Sequence, residues 1–185
     1  MAKKAIVEKG NPVLETPAKE VAIADISSSH VQSVIKDMKD TLSDISDGVG
    51  LAAPQIGVSL RIFIVSKRVL ARNKTAEESS SLEDMVCINP KIVKFSKTKK
   101  WMDGEGCLSV RWYYGKVYRS TNVSLEYYDE LGKKHTRGAG GLLAHIFQHE
   151  CDHLDGHLFI EKAKDIEWIE PKKDGEDSDE DSVIE

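Results

Sequence analysis

The sequence has few cysteines, no long apolar run and no basic stripe. Its three cysteines, an odd and widely spaced set, do not fit a disulfide framework and indicate a reducing compartment. No run approaches the length of a membrane span, and residues 1–8 lack the apolar core and cleavage site of a secretory signal. These absences predict a cytoplasmic protein in which cysteine is a ligand, a nucleophile or a small core residue.

The net charge of −5 belongs to the C-terminal end of the chain. Residues 172–185 contain seven acids and two lysines, so residues 1–171 are neutral by the same count. With no basic stripe, this neutrality argues against nucleic-acid binding by the body of the protein. The composition, 40% hydrophobic and 31% charged, predicts one domain over residues 1–170, followed by an acidic, disordered tail over residues 171–185.

Hydrophobic periodicity separates helical from extended segments. An apolar stripe predicts a helix from Ser28 to about Ile45, and a polar loop follows at residues 67–84. Residues 163–169 fit a short helix. Since helices and strands are segregated rather than alternating, we expect an α+β fold with a mainly antiparallel sheet. Strands are predicted at residues 60–66, 85–95, 98–102, 116–118, 122–128 and 133–136, the last two as a hairpin.

A third helical segment carries the strongest chemical pattern. His149 and His153 are four residues apart, so on a helix they project from one face and can bind one metal ion. Glu150 lies between them and can reach a water molecule without being a ligand. Gly156 ends the helix. The alternative is two ordinary histidines that share a register by chance, because this pattern is short.

A third ligand is needed, and two familiar arrangements fit poorly. The long zinc-peptidase form requires histidine at position 159, where Phe159 stands. A glutamate from Glu161, Glu167 or Glu170 would have to return from a short remaining stretch. Cys107, next to the flexible Gly106, is the better candidate, since a metal lowers the pKa of a thiol. A buried small hydrophobe is the alternative interpretation of this cysteine.

The stretch from residue 48 to 57 is rich in glycine but lacks the Lys-Ser/Thr pair of a phosphate-binding loop. Taken alone it is a turn between a helix and a strand, and Gln55 within it could be an ordinary surface amide. This stretch indicates a function only in combination with the stretches around Cys107 and His149.

Together the three stretches resemble the peptide deformylase family. The resemblance covers roughly residues 5–165 and implies antiparallel sheets packed around a central metal-binding helix. Because three independent motifs occur in the order found in the family, the probability that the match arose by chance is small. They are Gly-Val-Gly-Leu-Ala-Ala-Pro-Gln at 48–55, Glu-Gly-Cys-Leu-Ser at 105–109 and Gln-His-Glu-Cys-Asp-His-Leu-Asp-Gly at 148–156.

The resemblance implies a metal-dependent hydrolase that removes the N-formyl group from the N-terminal methionine of nascent polypeptides. Cys107, His149 and His153 would bind one divalent ion, ferrous iron in the cell, with zinc or nickel also able to occupy the site. Metal-bound water would attack the formyl carbon and release formate, with Glu150 as general base and then acid. Gln55 and the backbone N–H of Leu108 would stabilise the oxyanion.

Substrate binding is implied for four residues, Val49, Gly50, Leu142 and His145. Gly50 and its neighbours would pair with the peptide backbone like an added strand. The other three would line the methionine pocket, and His145 is also conceivable as a fourth ligand. The resemblance further implies an ion pair between Glu105 and the arginine at position 119.

The chain departs from the family around the substrate rather than at the metal. A proline is usual where Arg111 stands, another is usual at Tyr118, and arginine is common in place of His145. These departures leave the shape of the peptide groove open. A zinc peptidase would need a third ligand after His153, and none is well placed. A non-catalytic relative acting as a binding module should have lost Glu150, Gln55 or a ligand, and this chain has lost none. An enzyme acting on acylated lysine or other formamides is the alternative that stays open.

The implied partners are the N-formylmethionyl peptide and, during translation, the ribosome, with no sequence-specific nucleic acid and no membrane. A bacterial cytoplasm is the expected location, and an organelle is the alternative if a transit peptide has been removed.

Overall fold

The computed structural model describes residues 3–72 and 74–170. The predicted disordered tail, residues 171–185, lies outside the described residues. Within the described part, the helices are α1 (Ser29–Ser43), α2 (Lys67–Leu70), α3 (Ala76–Ser80) and α4 (Gly141–Leu154). The strands are β1 (Gly50–Ala52), β2 (Ile62–Val65), β3 (Met85–Phe95), β4 (Lys99–Cys107), β5 (Val110–Ser120), β6 (Asn122–Tyr128), β7 (Lys134–Gly140) and β8 (Lys164–Trp168).

The strands form two sheets. One has five strands in the order β1-β2-β3-β6-β7, and the other has three in the order β4-β5-β8. Every pairing between these strands is antiparallel, which confirms the predicted α+β class. The hairpin predicted through residues 129–132 is the β6–β7 connection.

The five-stranded sheet is covered by a helix on each face. Along β2, Ile62 and Ile64 pack in the cluster that includes Met38 of α1. Phe63 alternates with them and packs on the other face, where its ring centroid lies 6.0 Å from that of Phe147 in α4. Burying each of these side chains contributes about 1.5–3 kcal/mol. The alternation therefore places α1 and α4 on opposite faces of the sheet.

Helix α1 confirms its prediction within two residues. The Ser28 hydroxyl accepts a hydrogen bond from the Val31 N–H at 3.3 Å and caps the first turn. The apolar stripe faces the sheet, with Met38 and Leu42 completely buried.

Two predictions about local structure are wrong. The segment 67–84, expected to be a loop, contains the short helices α2 and α3, and Thr75 caps α3 through a reciprocal bond with Glu78. Segment 163–169, expected to be a helix, is strand β8, because it bonds to the edge of β5. The alternation of Ile166 and Trp168 with charged residues is the period-two signal that could have identified this strand.

Strands β4 and β5 are longer than predicted, and their hairpin reaches Cys107 and Val110. This extension brings Cys107 to the end of a strand that faces α4. No described helix combines the length and the apolar composition needed to cross a membrane.

Candidate metal centre and active site

Three potential ligands converge where β4 meets α4. Cys107 is the last residue of β4, and His149 and His153 lie one turn apart on α4. One ligand atom from each of the three lies within 4.8 Å of the others. The Cys107 Sγ is 3.2 Å from the His153 Nε2, and the two imidazole ring centroids are 4.8 Å apart. The structure thus brings together the three residues predicted as ligands.

Helix α4 is held in place by Gln148, a residue whose role the sequence reading missed. Its side-chain amide donates to the Ser120 carbonyl at 2.9 Å, and its side-chain oxygen accepts from the Ser120 N–H at 3.0 Å. The buried carboxamide therefore pairs with the backbone of β5 as another strand would. Gly156, with φ +81°, follows the end of the helix as predicted.

Glu105 orients one of the histidines. Its carboxylate accepts two hydrogen bonds from Arg119, from Nε at 2.7 Å and Nη2 at 2.5 Å. This confirms the predicted ion pair, which is buried on both sides. The same carboxylate lies 2.7 Å from the His149 Nδ1. Because a carboxylate only accepts, His149 carries a proton on Nδ1, which leaves Nε2 as the nitrogen available to a metal ion.

Glu150 lies beside the three ligands but outside their group. Its side chain is 3% exposed, and its Oε2 has no hydrogen-bond partner among the described residues. The Oε1 approaches the backbone of Gly50 so closely that a Cβ there would lie 2.5 Å from it. Glycine at position 50 is therefore required to admit the carboxylate, a reason that the sequence motif alone did not give.

Burial and neighbouring charge set the pKa values of the site. Burial raises the pKa of Glu150 to about 7, which outweighs the opposing effect of the two imidazoles. Burial also acts to raise the pKa of the Cys107 thiol, but His153 and His149 hold it well below its usual range. Burial opposes ionisation of Glu105 as well, yet Arg119 and the histidines keep its pKa well below the usual value. The site therefore favours a thiolate at position 107.

Gln55 is 2% exposed, which excludes the interpretation as a surface amide. Its Oε1 accepts from the Ala52 N–H at 2.8 Å, and this bond fixes the direction of the amide group. Its Nε2 lies 3.3 Å from the Ser109 Oγ and 3.5 Å from the Cys107 Sγ. The Gln55 amide nitrogen therefore lies between the Ser109 hydroxyl and the Cys107 sulfur.

A cavity of about 280 Å³ opens above these groups. The four residues predicted to bind substrate all line it, as do Gln55, Leu108, Cys107, His149 and Glu150. Ile146 also lines it and was missed, although it lies four residues after Leu142 and four before Glu150 on the same helical face. The lining also includes Arg111, Trp112, Tyr113 and Tyr114.

The other residues considered as metal ligands lie outside the group formed by Cys107, His149 and His153. His145 is outside the group of three, and its Nε2 contacts the carboxylate of Glu105. Glu161 bonds to the Leu158 N–H at 2.8 Å, and Glu167 is exposed on β8. In the described part of the chain, the ligand group contains only Cys107, His149 and His153.

The donor set fits a divalent transition metal. One thiolate and two imidazoles suit ferrous iron, zinc and nickel, and three protein ligands leave a coordination position for a small molecule. The neighbouring cavity supplies room on the side where Glu150 and Gln55 lie. These residues could therefore support hydrolysis rather than a closed structural site.

The depressed pKa of Cys107 gives a test of this electrostatic picture. We expect iodoacetamide to modify Cys107 in the metal-free protein at pH 7, because the thiolate is the reactive form. Cys87 and Cys151 should stay unmodified, since both are buried and burial raises the pKa of Cys151 to about 12. Peptide mass mapping measures the three sites, and ferrous or zinc loading should protect Cys107. Equal labelling of the three thiols would contradict the assignment.

Known proteins are similar to this chain in both sequence and fold. The family model described as polypeptide deformylase matches residues 3–168. The chloroplastic/mitochondrial peptide deformylase 1A of Arabidopsis thaliana is 41% identical over 163 residues, which are 85% of this chain and 60% of that protein. The peptide deformylase of Christiangramia forsetii is 36% identical over 165 residues, covering 87% of this chain and 82% of that one.

A solved structure agrees with this match. The class I type b peptide deformylase of Acinetobacter baumannii, crystallised with Met-Ala-Ser bound, is 30% identical and superposes with a TM-score of 0.75. The match covers 87% of this chain and 98% of the other. On the extent of these matches and the geometry of its metal centre, the chain belongs to the polypeptide deformylase family.

Proposed function

We propose that this protein removes the N-formyl group from the N-terminal methionine of nascent polypeptides and releases formate. The observation that carries the proposal is the convergence of three metal-ligand atoms beside the buried carboxylate of Glu150 and the amide of Gln55, at one wall of an open cavity. A hydrolytic amide cleavage needs an activated water, a proton acceptor and oxyanion donors, and the cavity offers residues for each.

Cys107, His149 and His153 would hold the ion in this mechanism. A bound divalent ion supplies Lewis-acid chemistry, which lowers the pKa of water and polarises a carbonyl oxygen. Glu105 and Arg119 serve this site by fixing the orientation and tautomer of His149. We propose ferrous iron as the cellular ion, with zinc and nickel as alternatives for the same donor set.

Glu150 is proposed to accept a proton from the attacking water and to donate it to the leaving amine. A pKa of about 7, set by burial before any ion binds, lies in the range where a carboxyl group both accepts and donates protons near neutral pH. The tight fit against Gly50 holds the carboxylate at one place. Proton transfer in both directions therefore requires no movement of the backbone.

Gln55 and the Leu108 backbone N–H are proposed to stabilise the developing oxyanion. The Gln55 amide is already oriented through its bond to Ala52, so little reorganisation is needed during the reaction. Both residues line the cavity beside Cys107.

Substrate binding is proposed along β1. Within residues 3–72 and 74–170, this strand pairs with β2 alone and lies at the edge of its sheet, so the backbone at Gly50 can bond to an extended peptide. Val49, Leu142 and His145 would surround the methionine side chain. The Acinetobacter baumannii relative was crystallised with Met-Ala-Ser, which supports a peptide of this kind as the ligand.

The proposed setting is a bacterial cytoplasm, where the ribosome would be a partner during translation. The plant relative named for chloroplast and mitochondrion makes an organelle the alternative. We assign catalysis to a single domain over residues 1–170 and no chemistry to the acidic residues 171–185.

Formate release tests the proposal. Protein purified without oxygen and loaded with ferrous iron should release formate from formyl-Met-Ala-Ser, whereas protein treated with a chelator should release none until iron is restored. Parallel loading with zinc and nickel ranks the candidate ions. One equivalent of bound metal without formate release would contradict the proposed substrate and direct attention to other N-acyl compounds.

A further inference from the structure

The β4–β5 hairpin has a bulge beside the metal centre. Cys107 pairs with Val110, but the next pair joins Gly106 to Tyr114, so residues 111–113 have no partner on β4. Trp112 within the bulge has φ +70°, an uncommon conformation for an aromatic residue. Its carbonyl accepts a hydrogen bond of 2.8 Å from the Ile169 N–H, so the chain at the end of β8 fixes the bulge.

Four large apolar residues are exposed together at this end of the three-stranded sheet. Trp112 and Tyr113 belong to the bulge, and Trp168 and Ile169 lie at the end of β8; we call these four residues the aromatic rim. Their exposed fractions are 37%, 42%, 56% and 51%. Tyr113 is directly opposite Trp168 in the β5–β8 pairing, so their side chains stand on the same face of the sheet.

The aromatic rim is continuous with the active-site cavity. Trp112 and Tyr113 line the cavity together with Cys107. Trp168 and Ile169 lie on the neighbouring strand β8 and its end, where Trp168 pairs with Tyr113 and the Ile169 N–H bonds to the Trp112 carbonyl. The charge of the neighbouring Arg111 is balanced by Asp47, whose Oδ2 lies 3.2 Å from the Arg111 Nη1. The four rim side chains are uncharged and exposed, and exposed apolar patches mark binding sites.

We propose that the aromatic rim binds apolar side chains at the third to fifth residues of the formylated polypeptide. The inference rests on the proposed function, since the methionine must occupy the cavity for the later residues to reach the rim. An extended peptide advances about 3.3 Å per residue, so residues beyond the second leave the cavity through its mouth. The rim lies at that mouth and selects polypeptides by apolar contact area.

The test compares two formylated pentapeptide amides with the ferrous-loaded enzyme: formyl-Met-Ala-Leu-Leu-Phe and formyl-Met-Ala-Ser-Ser-Ser. The apolar peptide should have a kcat/KM about tenfold higher, mainly through a lower KM, because added contact strengthens binding equally in the ground and transition states. In Trp168→Ala the ratio of the two kcat/KM values should approach one. Trp168→Phe should retain most of the parent enzyme's preference for the apolar peptide.

Trp101→Ala is the matched control. Trp101 is also an exposed tryptophan of the three-stranded sheet, but it packs against Tyr118 and does not line the cavity. The ratio in this variant should equal that of the parent. Because each ratio is measured on one enzyme preparation, it is independent of the fraction that is folded and loaded.

The outcomes separate the two proposals. Rapid formate release from both peptides with a ratio near one would overturn the role of the rim and leave the proposed function standing. A high ratio that Trp168→Ala and Trp112→Ala both preserve would also overturn it, since the preference would arise elsewhere. No formate release from either peptide or from formyl-Met-Ala-Ser would overturn the proposed function itself.

Discussion

Replacing Glu150 with glutamine is expected to lower kcat for formate release by about a hundred- to ten-thousand-fold, the range that a positioned acid or base contributes. Glutamine has almost the same shape, so it should keep the contact with Gly50, but its amide cannot accept the proton of the attacking water. Steady-state kinetics on formyl-Met-Ala-Ser measures the loss. The KM should change little, because the lost interaction belongs to the transition state.

The metal content supplies the control for this variant. Glu150 is outside the group of three ligand atoms, so Glu150→Gln should bind one equivalent of iron like the parent.

The parent should also lose activity as the pH falls below the pKa of Glu150, since a protonated carboxyl cannot accept a proton. That pKa is about 7 without the ion, and a bound cation moves it lower. A decrease in kcat of less than tenfold in Glu150→Gln would mean that another group is the general base.

The second large effect concerns stability. Arg119→Met should lower the free energy of unfolding by about 3–5 kcal/mol, the usual cost of removing one partner from a buried ion pair. Glu105 and Arg119 are both about 5% exposed or less, so the remaining carboxylate would stay buried without its two guanidinium hydrogen bonds. Urea unfolding at fixed metal concentration measures the change.

Lys162→Met is the matched control for Arg119→Met. Lys162 also bonds to a carboxylate of this network, with its Nζ 2.6 Å from the Asp152 Oδ1, but its side chain is 44% exposed. Exposed ion pairs contribute about 0–1 kcal/mol, so this variant should remain close to the parent. Similar losses in the two variants would show that burial does not govern the network.

The buried pair also predicts a dependence on pH. The pKa of Glu105 is lower in the folded protein than in the unfolded chain, where the pKa of glutamate is about 4.3. Its stabilising contribution is therefore complete above that value and decreases as the pH falls through the folded pKa. The stability difference between the parent and Arg119→Met should accordingly narrow in acid.

Local patterns in the sequence were sufficient to predict the parts of the site that depend on local geometry. The spacing of His149 and His153 places them on one face of any helix, and periodicity located both long helices and most strands. The three motifs then identified Cys107, Gln55 and Glu150, and the structure places all of them around one cavity. Local periodicity is sufficient here because helices and strands each impose one fixed repeat.

Contacts between distant parts of the chain could not be predicted from local patterns. Glu105 contacts His149 across 44 residues of chain, and Glu150 fits against Gly50 across 100, so no local pattern could reveal either contact. The alternation within residues 164–168 favours a strand, but only the fold shows that this strand, β8, pairs with the edge of β5. The aromatic rim exists for the same reason, since pairing with that edge brings Trp168 beside Tyr113. Hydrogen bonding and packing between remote segments bring these groups together, and no local repeat specifies which segments will meet.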